Sequence, residues 1–286
     1  MVTILFDGVA YGMLLFVLAC GLSVTLGLMN FVNLAHGAFA MAGGYVAALL
    51  TTGFGWSFFW CLPAAFLAAA AIGLVLERTL YQRLYRRSHL DQVLFTIGIT
   101  FMAVSAVEWA IGPQQQTVVI PAVLKGRIEI LGGSIGIYRL FIIAICAVVT
   151  VCLQAALSYS RFGAQLRAAV DDPRVARGLG INVNLVFALT FAVGSGLAGL
   201  GGALGAEILG MEPVFPIKFM IYFLIVVTVG GTSGLVGAFL AALLLGIADV
   251  AGKYYIPEVG AFIIYAVMVA VLIVRPNGLL TRSGAR

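Results

Sequence analysis

Nine apolar runs, most of them near the length of a membrane-spanning helix, leave this chain little room for a soluble fold. They cover roughly residues 8–28, 37–54, 58–76, 93–112, 139–158, 184–207, 216–231, 235–251 and 259–274. Crossing the hydrocarbon of a bilayer takes about 20 apolar residues in a helix. Charge is correspondingly scarce: 9% of the 286 residues are charged and 63% are hydrophobic, whereas soluble domains carry roughly 25% charged residues. The sequence predicts an all-α polytopic membrane protein, one transmembrane domain over residues 1–286. About eight runs are expected to be transmembrane helices, with broken or re-entrant segments; eight to nine segments fit. The ambiguous pairs are 8–28 with 37–54 and 216–231 with 235–251, whose connections are glycine-rich and nearly uncharged.

Basic residues set the orientation. Arg78, Arg83, Arg86 and Arg87 stand in residues 77–91, and Arg161, Arg167, Arg174 and Arg177 in residues 161–180. Arg275, Arg282 and Arg286 stand in the tail, so the three places hold eleven of the sixteen Lys and Arg. The positive-inside rule puts all three in the cytoplasm. The N-terminus, with Asp7, is then external and the C-terminus cytoplasmic, provided that residues 216–251 enter and leave the membrane again. The external loop 112–138, with Pro113 and a Val/Ile-rich stretch, suits a small hairpin or cap. Glu129, Glu207, Glu212 and Glu258 fall at or near the outer side as solvated acids. The net charge of +5 does not point to nucleic acid, because the basic residues sit in short loops between apolar runs. Cys20, Cys61, Cys146 and Cys152 lie in apolar runs without metal-ligand spacing and read as core- or lipid-facing. The first residues lack a basic n-region, so no signal peptide is expected.

Polar residues inside apolar segments are costly unless they face protein or a water-lined path. Residues 27–44, GLMNFVNLAHGAFAMAGG, carry Asn30, Asn33 and His36 among glycines. Asn30, Asn33 and Gly37 are spaced i, i+3, i+7, near one face of a helix. Satisfied helix–helix contacts are one reading; a polar lining of a transport path is the other. A second glycine-rich break at residues 230–237, with Thr232 and Ser233, favours the lining, because interrupted segments in two halves point to a transport site. Residues 194–199 spell G-x-G-x-x-G, but inside a membrane helix Gly194, Ala198, Gly202 and Ala206 form a packing face, within this chain or toward a partner chain. Ser195, beside it, is a further candidate for the path.

Enzyme chemistry is not expected. The chain has no G-x-x-x-x-G-K-[ST] motif for its own ATP site, and His36 and His89 lack ligand spacing, so no metal or cofactor is implied. Glu108 and Glu207 keep open a proton relay in a stand-alone ion-coupled secondary transporter.

The internal loop 159–183, SYSRFGAQLRAAVDDPRVARGLGIN, is organised beyond a linker. Residues 162–170 read as a short helix. Asp172 then Pro173 is an N-cap followed by proline at the first helical position, opening a second helix to about Leu179. Anchorage at lipid headgroups is one reading; docking of a cytoplasmic subunit is the other. The candidate docking residues are Arg161, Gly163, Arg167, Ala168, Asp171, Asp172, Arg174 and Arg177.

Gly163, Arg167, Ala168, Asp172, Ala176, Gly180 and Ile181 occur in the order of the cytoplasmic loop of permeases from branched-chain amino acid ABC importers, which the loop resembles. NFVNLAHGAFAMAGGY (residues 30–45), VVTVGGTSGLVGAFLAALLLG (residues 226–246) and RPNGLL (residues 275–280) resemble further segments of that family, in the same order. The smaller of the two paired permeases is the nearer likeness. The resemblance implies a permease in a bacterial inner membrane that works with a second related permease or a second copy. Two cytoplasmic ATP-binding subunits would drive it through loop 159–183, which would rest in a groove of the ATPase, and a periplasmic binding protein would deliver substrate. Branched-chain or related amino acids are the implied substrates, with urea, short amides or aromatic acids as alternatives in the same family.

Overall fold

The computed structural model describes residues 1–27, 29–85, 87–130, 133–231 and 234–280. Each of the nine apolar runs forms a helix. In chain order the helices are α1 (Val2–Gly27), α2 (His36–Ala48), α3 (Phe58–Thr79), α4 (His89–Ala110), α5 (Ile137–Tyr159), α6 (Arg161–Asp171), α7 (Pro173–Gly178), α8 (Val183–Leu209), α9 (Phe215–Gly230), α10 (Leu235–Tyr255) and α11 (Gly260–Val274). Among the described residues six have the length and apolarity to cross a bilayer: α1, α3, α4, α5, α8 and α10. The shorter α2 continues as a π-helical turn at Leu49–Gly53. Helices α6 and α7 are the polar pair expected in loop 159–183.

Two helices form the centre. The apolar window of α1 is 89% buried and that of α8 67%, against 17% in α4 and 11% in α5. A helix that is apolar all round belongs in an interior, and residues 14–20 of α1 have no exposure at all. Small residues let these backbones meet. A Cβ on Gly12 would stand 2.7 Å from Ala242 O and 2.9 Å from Leu243 Cα of α10. On α8, Gly194 packs on Gly21, Gly199 on Ala69, and Gly202 on Ala40. The small-residue face is therefore taken up within the chain: Ala198 and Ala206 are buried too.

The helix ends sort by charge. Asp7 at the start of α1 pairs with Arg139 at the start of α5. Lys218 pairs with Glu212 at 2.9 Å near the start of α9, and Lys253 with Asp249 at 2.6 Å near the end of α10. At the other ends stand Arg78, Arg83 and Arg87, the arginines of α6 and α7, and Arg275; Arg86, Arg282 and Arg286 lie outside the described residues. The expected cap in loop 112–138 is a hairpin, β1 (Arg127–Ile130) and β2 (Gly133–Gly136), antiparallel with Ile128 opposite Ile135. Cys20, Cys61 and Cys146 are buried and Cys152 is exposed on α5.

Candidate functional site

Helix α1 ends at Gly27 and α2 begins at His36. Asn30, at φ 51°, makes the turn, a left-handed conformation that asparagine adopts more readily than most residues. The backbone then runs back into the bundle. His36 Nε2 donates to Leu18 O at 2.8 Å. Leu18 lies nine residues before the end of α1, about 14 Å along it at helical rise. Helix α2 therefore begins well inside the protein.

Irregular backbone at such depth needs hydrogen-bond partners, and one face of α4 provides them. Gln92 Oε1 accepts from Val32 N at 3.1 Å, and Thr96 Oγ1 accepts from Leu34 N at 3.2 Å. Thr100 Oγ1 donates to Leu34 O at 3.4 Å. The three side chains follow at i, i+4 and i+8 and are all buried. Asn33 Oδ1 accepts from Ala35 N at 3.2 Å. Its Nδ2, also buried, has no partner among the described residues. Toward the arginine-rich face, Phe31 closes the stretch, its ring 5.3 Å from those of both Tyr81 and Tyr85. Tyr85 Oη donates to the enclosed Glu77 at 3.0 Å. Burial, then the Glu77 charge, pushes the Tyr85 hydroxyl above the ordinary phenol range, so it stays a donor.

A second interruption follows α8. Gly210 takes φ 73°, and Met211 packs on Gly44 while its carbonyl accepts from Gln116 N at 2.8 Å. Helix α9 then begins at Phe215 with Pro216 in its first turn. A Cβ on Gly37 would stand 2.9 Å from Pro216 Cα, so the N-termini of two short helices abut inside the bundle. The His36 ring lies edge-on to Phe223 of α9 at 6.1 Å. Helix N-termini carry partial positive charge and free N–H groups, and broken helices in transporters use them to hold anionic groups.

The predicted pathway residues divide. Asn33, His36 and Gly37 come together where α2 meets α1 and α9. Asn30 does not share a helical face with them, because its left-handed turn takes residues 29–35 out of helix; it is exposed. Ser195 packs on Gly73 of α3, whereas Gly194 faces Gly21, which also touches His36. Thr232 and Ser233 lie outside the described residues. Helix α9 ends at Gly230 and α10 begins at Leu235, within the break expected at residues 230–237, and the tail packs beside it, with Leu279 N donating to Val229 O at 2.8 Å. A further interruption, which meets the first inside the bundle, is residues 210–214. Gly210 and Pro216 signalled it, but the acid and proline between them read as an ordinary loop. Gln92, Thr96 and Thr100 were also missed, although polar residues at a spacing of four in an apolar helix mark a face turned to polar backbone.

The hairpin of α6 and α7 is built like a rigid unit. Ser160 Oγ accepts from Gly163 N at 3.1 Å, and Asp172 Oδ1 accepts from Arg174 N at 2.7 Å and Val175 N at 3.1 Å. Gly163 lies so close to Leu157 that a Cβ would stand 2.8 Å from its Cα. Arg167 donates to Leu157 O. Leu166, Ala169, Ala176, Val183 and Val186 form a separate small core that ties the hairpin to α8. Of the predicted docking residues, Gly163, Arg167 and Asp172 thus hold the hairpin's shape. Arg161, Asp171, Arg174 and Arg177 are exposed, and Ala168 is half-buried. Glu108 and Glu207 are exposed near the ends of α4 and α8.

The family described as the permease component of branched-chain amino acid transport systems matches residues 4–272. The chain is 28% identical to the high-affinity branched-chain amino acid transport system permease protein LivH of Escherichia coli K12, over 97% of this chain and 94% of that one. It is 30% identical to the corresponding permease protein BraD of Pseudomonas aeruginosa, over 97% and 95%. With the E. coli permease protein LivM it shares 27% identity over 94% of this chain and 68% of LivM. No solved structure matches it.

Proposed function

Since the chain belongs to the permease-component family of branched-chain amino acid transport systems, we propose that it forms one transmembrane subunit of an ATP-driven importer for branched-chain or related amino acids. Two different permease proteins of one E. coli system, LivH and LivM, both resemble it, which supports a second related permease as its partner. In this reading residues 1–286 are one transmembrane domain in a bacterial inner membrane. The arginine-rich face is cytoplasmic and the N-terminus external. A periplasmic binding protein delivers the substrate, and two ATP-binding subunits dock on the hairpin of α6 and α7.

The observation that carries this reading is the surface of that hairpin. Val175 and Leu179 are 59% and 75% exposed beside Arg174 and Arg177, on a unit whose inner side is anchored by its own core. An apolar knob rimmed by charge suits a protein groove. Helix α6 follows α5 after Ser160, and α7 leads through Asn182 into α8. A push on the hairpin therefore reaches the central helix, which packs on α2 through Gly202. ATP binding biases two states of the bundle, and the abutting N-termini of α2 and α9, with Asn33, His36 and Gly37, line the path that opens and closes. Val175→Asp and Leu179→Asp tests this: each is expected to release the ATP-binding subunits on co-purification and abolish uptake at unchanged permease abundance. A Val175→Asp, Leu179→Asp double variant that keeps both would refute the docking role.

A further inference from the structure

The ends of α1, α5, α8, α9 and α10 enclose a cavity of about 340 Å3 at the face opposite the hairpin. Ligand pockets span roughly 300–1,000 Å3. Asp249 lines it with a side chain only 1% exposed. Its Oδ2 accepts from Lys253 Nζ at 2.6 Å, while Oδ1 is buried with no partner among the described residues. Asp7 repeats the arrangement: Oδ2 pairs with Arg139, and Oδ1 is buried without a partner among the described residues. A buried carboxylate oxygen without a donor is costly, and two at one cavity call for a donor from outside the chain. Arg139, Lys218 and Lys253 line the same cavity and are about half exposed. Tyr11, Phe219, Tyr222 and Leu209 supply an apolar wall. Asp7 and Asp249 offset Arg139 and Lys253, and Glu212 offsets Lys218, so the fixed charges cancel and favour a ligand carrying one charge of each sign.

We propose that this cavity is an entry site for a zwitterionic amino acid with an apolar side chain. Its ammonium group donates to Asp249 Oδ1 and Asp7 Oδ1, its carboxylate accepts from Lys218, and its side chain lies on Tyr11 and Phe219. The choice of ligand rests on the importer reading above; the site itself rests on the cavity and the two unpartnered carboxylate oxygens at its wall.

The test uses the complete importer in lipid nanodiscs with Cys152→Ser and Val250→Cys, or Ile208→Cys on the facing wall if the first impairs assembly. The new thiol is labelled with a cationic methanethiosulfonate. L-Leucine at about four times its dissociation constant is expected to slow labelling about five-fold, the factor 1 + [L]/Kd. 4-Methylpentanoate, which lacks the ammonium group, and 3-methylbutylamine, which lacks the carboxylate, are expected to give no protection. Asp249→Asn is expected to keep the labelling and lose the protection. Unprotected labelling in a complex that takes up leucine overturns the site. Protection by the amine equal to that by leucine makes it a cation site and overturns the zwitterion. Protection in a complex that does not transport leucine upholds the site and overturns the importer reading.

Discussion

Thr96→Val tests whether α4 sustains the irregular stretch that carries the chain from α1 to α2. Valine keeps the shape of threonine and removes one acceptor, leaving Leu34 N, now 3.2 Å from Thr96 Oγ1, without a partner in a buried site. An unsatisfied buried donor costs about 1–3 kcal/mol. The second bond of the same hydroxyl, 2.8 Å to Gln92 O, adds little, because that carbonyl belongs to a continuous helix. Thr150→Val on α5 is the control: its hydroxyl bonds only to Cys146 O of its own helix at 2.6 Å. The assay is hydrogen exchange of the peptide covering residues 29–38 in the assembled permease. Thr96→Val is expected to accelerate its exchange about 5- to 150-fold, the equivalent of 1–3 kcal/mol, with Thr150→Val unchanged there. Equal exchange in the two variants would refute the argument that α4 side chains hold this backbone in place.

Asp172→Ala removes the cap of α7 and is expected to weaken it by about 0.5–2 kcal/mol, seen as faster exchange over residues 173–178 with α6 unaffected. Gly163→Val forces a side chain into the backbone of Leu157; uptake and retention of ATP-binding subunits are expected to fall together, and a variant with normal retention contradicts the tight fit. Gly12→Val places methyl groups against Ala242 and Leu243 of α10 and is expected to destabilise the purified permease by about 1–3 kcal/mol or more, read as a lower temperature of aggregation. Tyr138→Phe deletes the 2.7 Å bond to Leu204 O and is expected to lower stability by about 0.5–1.5 kcal/mol, without changing the amount inserted.

The parts of the fold that follow from composition and local chemistry are legible in the sequence. Continuous apolar runs become helices because nothing else satisfies the backbone away from water. The Asp172–Pro173 pair opens α7 because a short carboxylate and a fixed φ are local devices. What could not be read locally was which polar group serves which backbone. Asn30, Asn33 and Gly37 fit a helical face by spacing, yet the stretch is held by Gln92 and Thr96, some sixty residues away in sequence. The break at residues 210–214 went unread for a similar reason: the glycines of residues 230–237 are more conspicuous than Gly210, and only the three-dimensional arrangement sets Pro216 against Gly37. The glycines of α8 showed that something packs closely there, not that the something is this chain's own α1, α2 and α3.

The enclosure of α1 has a consequence for biosynthesis. This helix is made before the partners that enclose it, α8 and α10, and 182 residues separate its end at Gly27 from the end of α8 at Leu209. At about 5–20 residues per second, α1 waits roughly 10–40 s for α8 to be completed. Through that interval its glycines and Asp7 must be tolerated by lipid or by the insertion machinery. Variants that strengthen its final packing while making it less acceptable to lipid will therefore lower the yield of inserted permease, even where the finished protein is more stable.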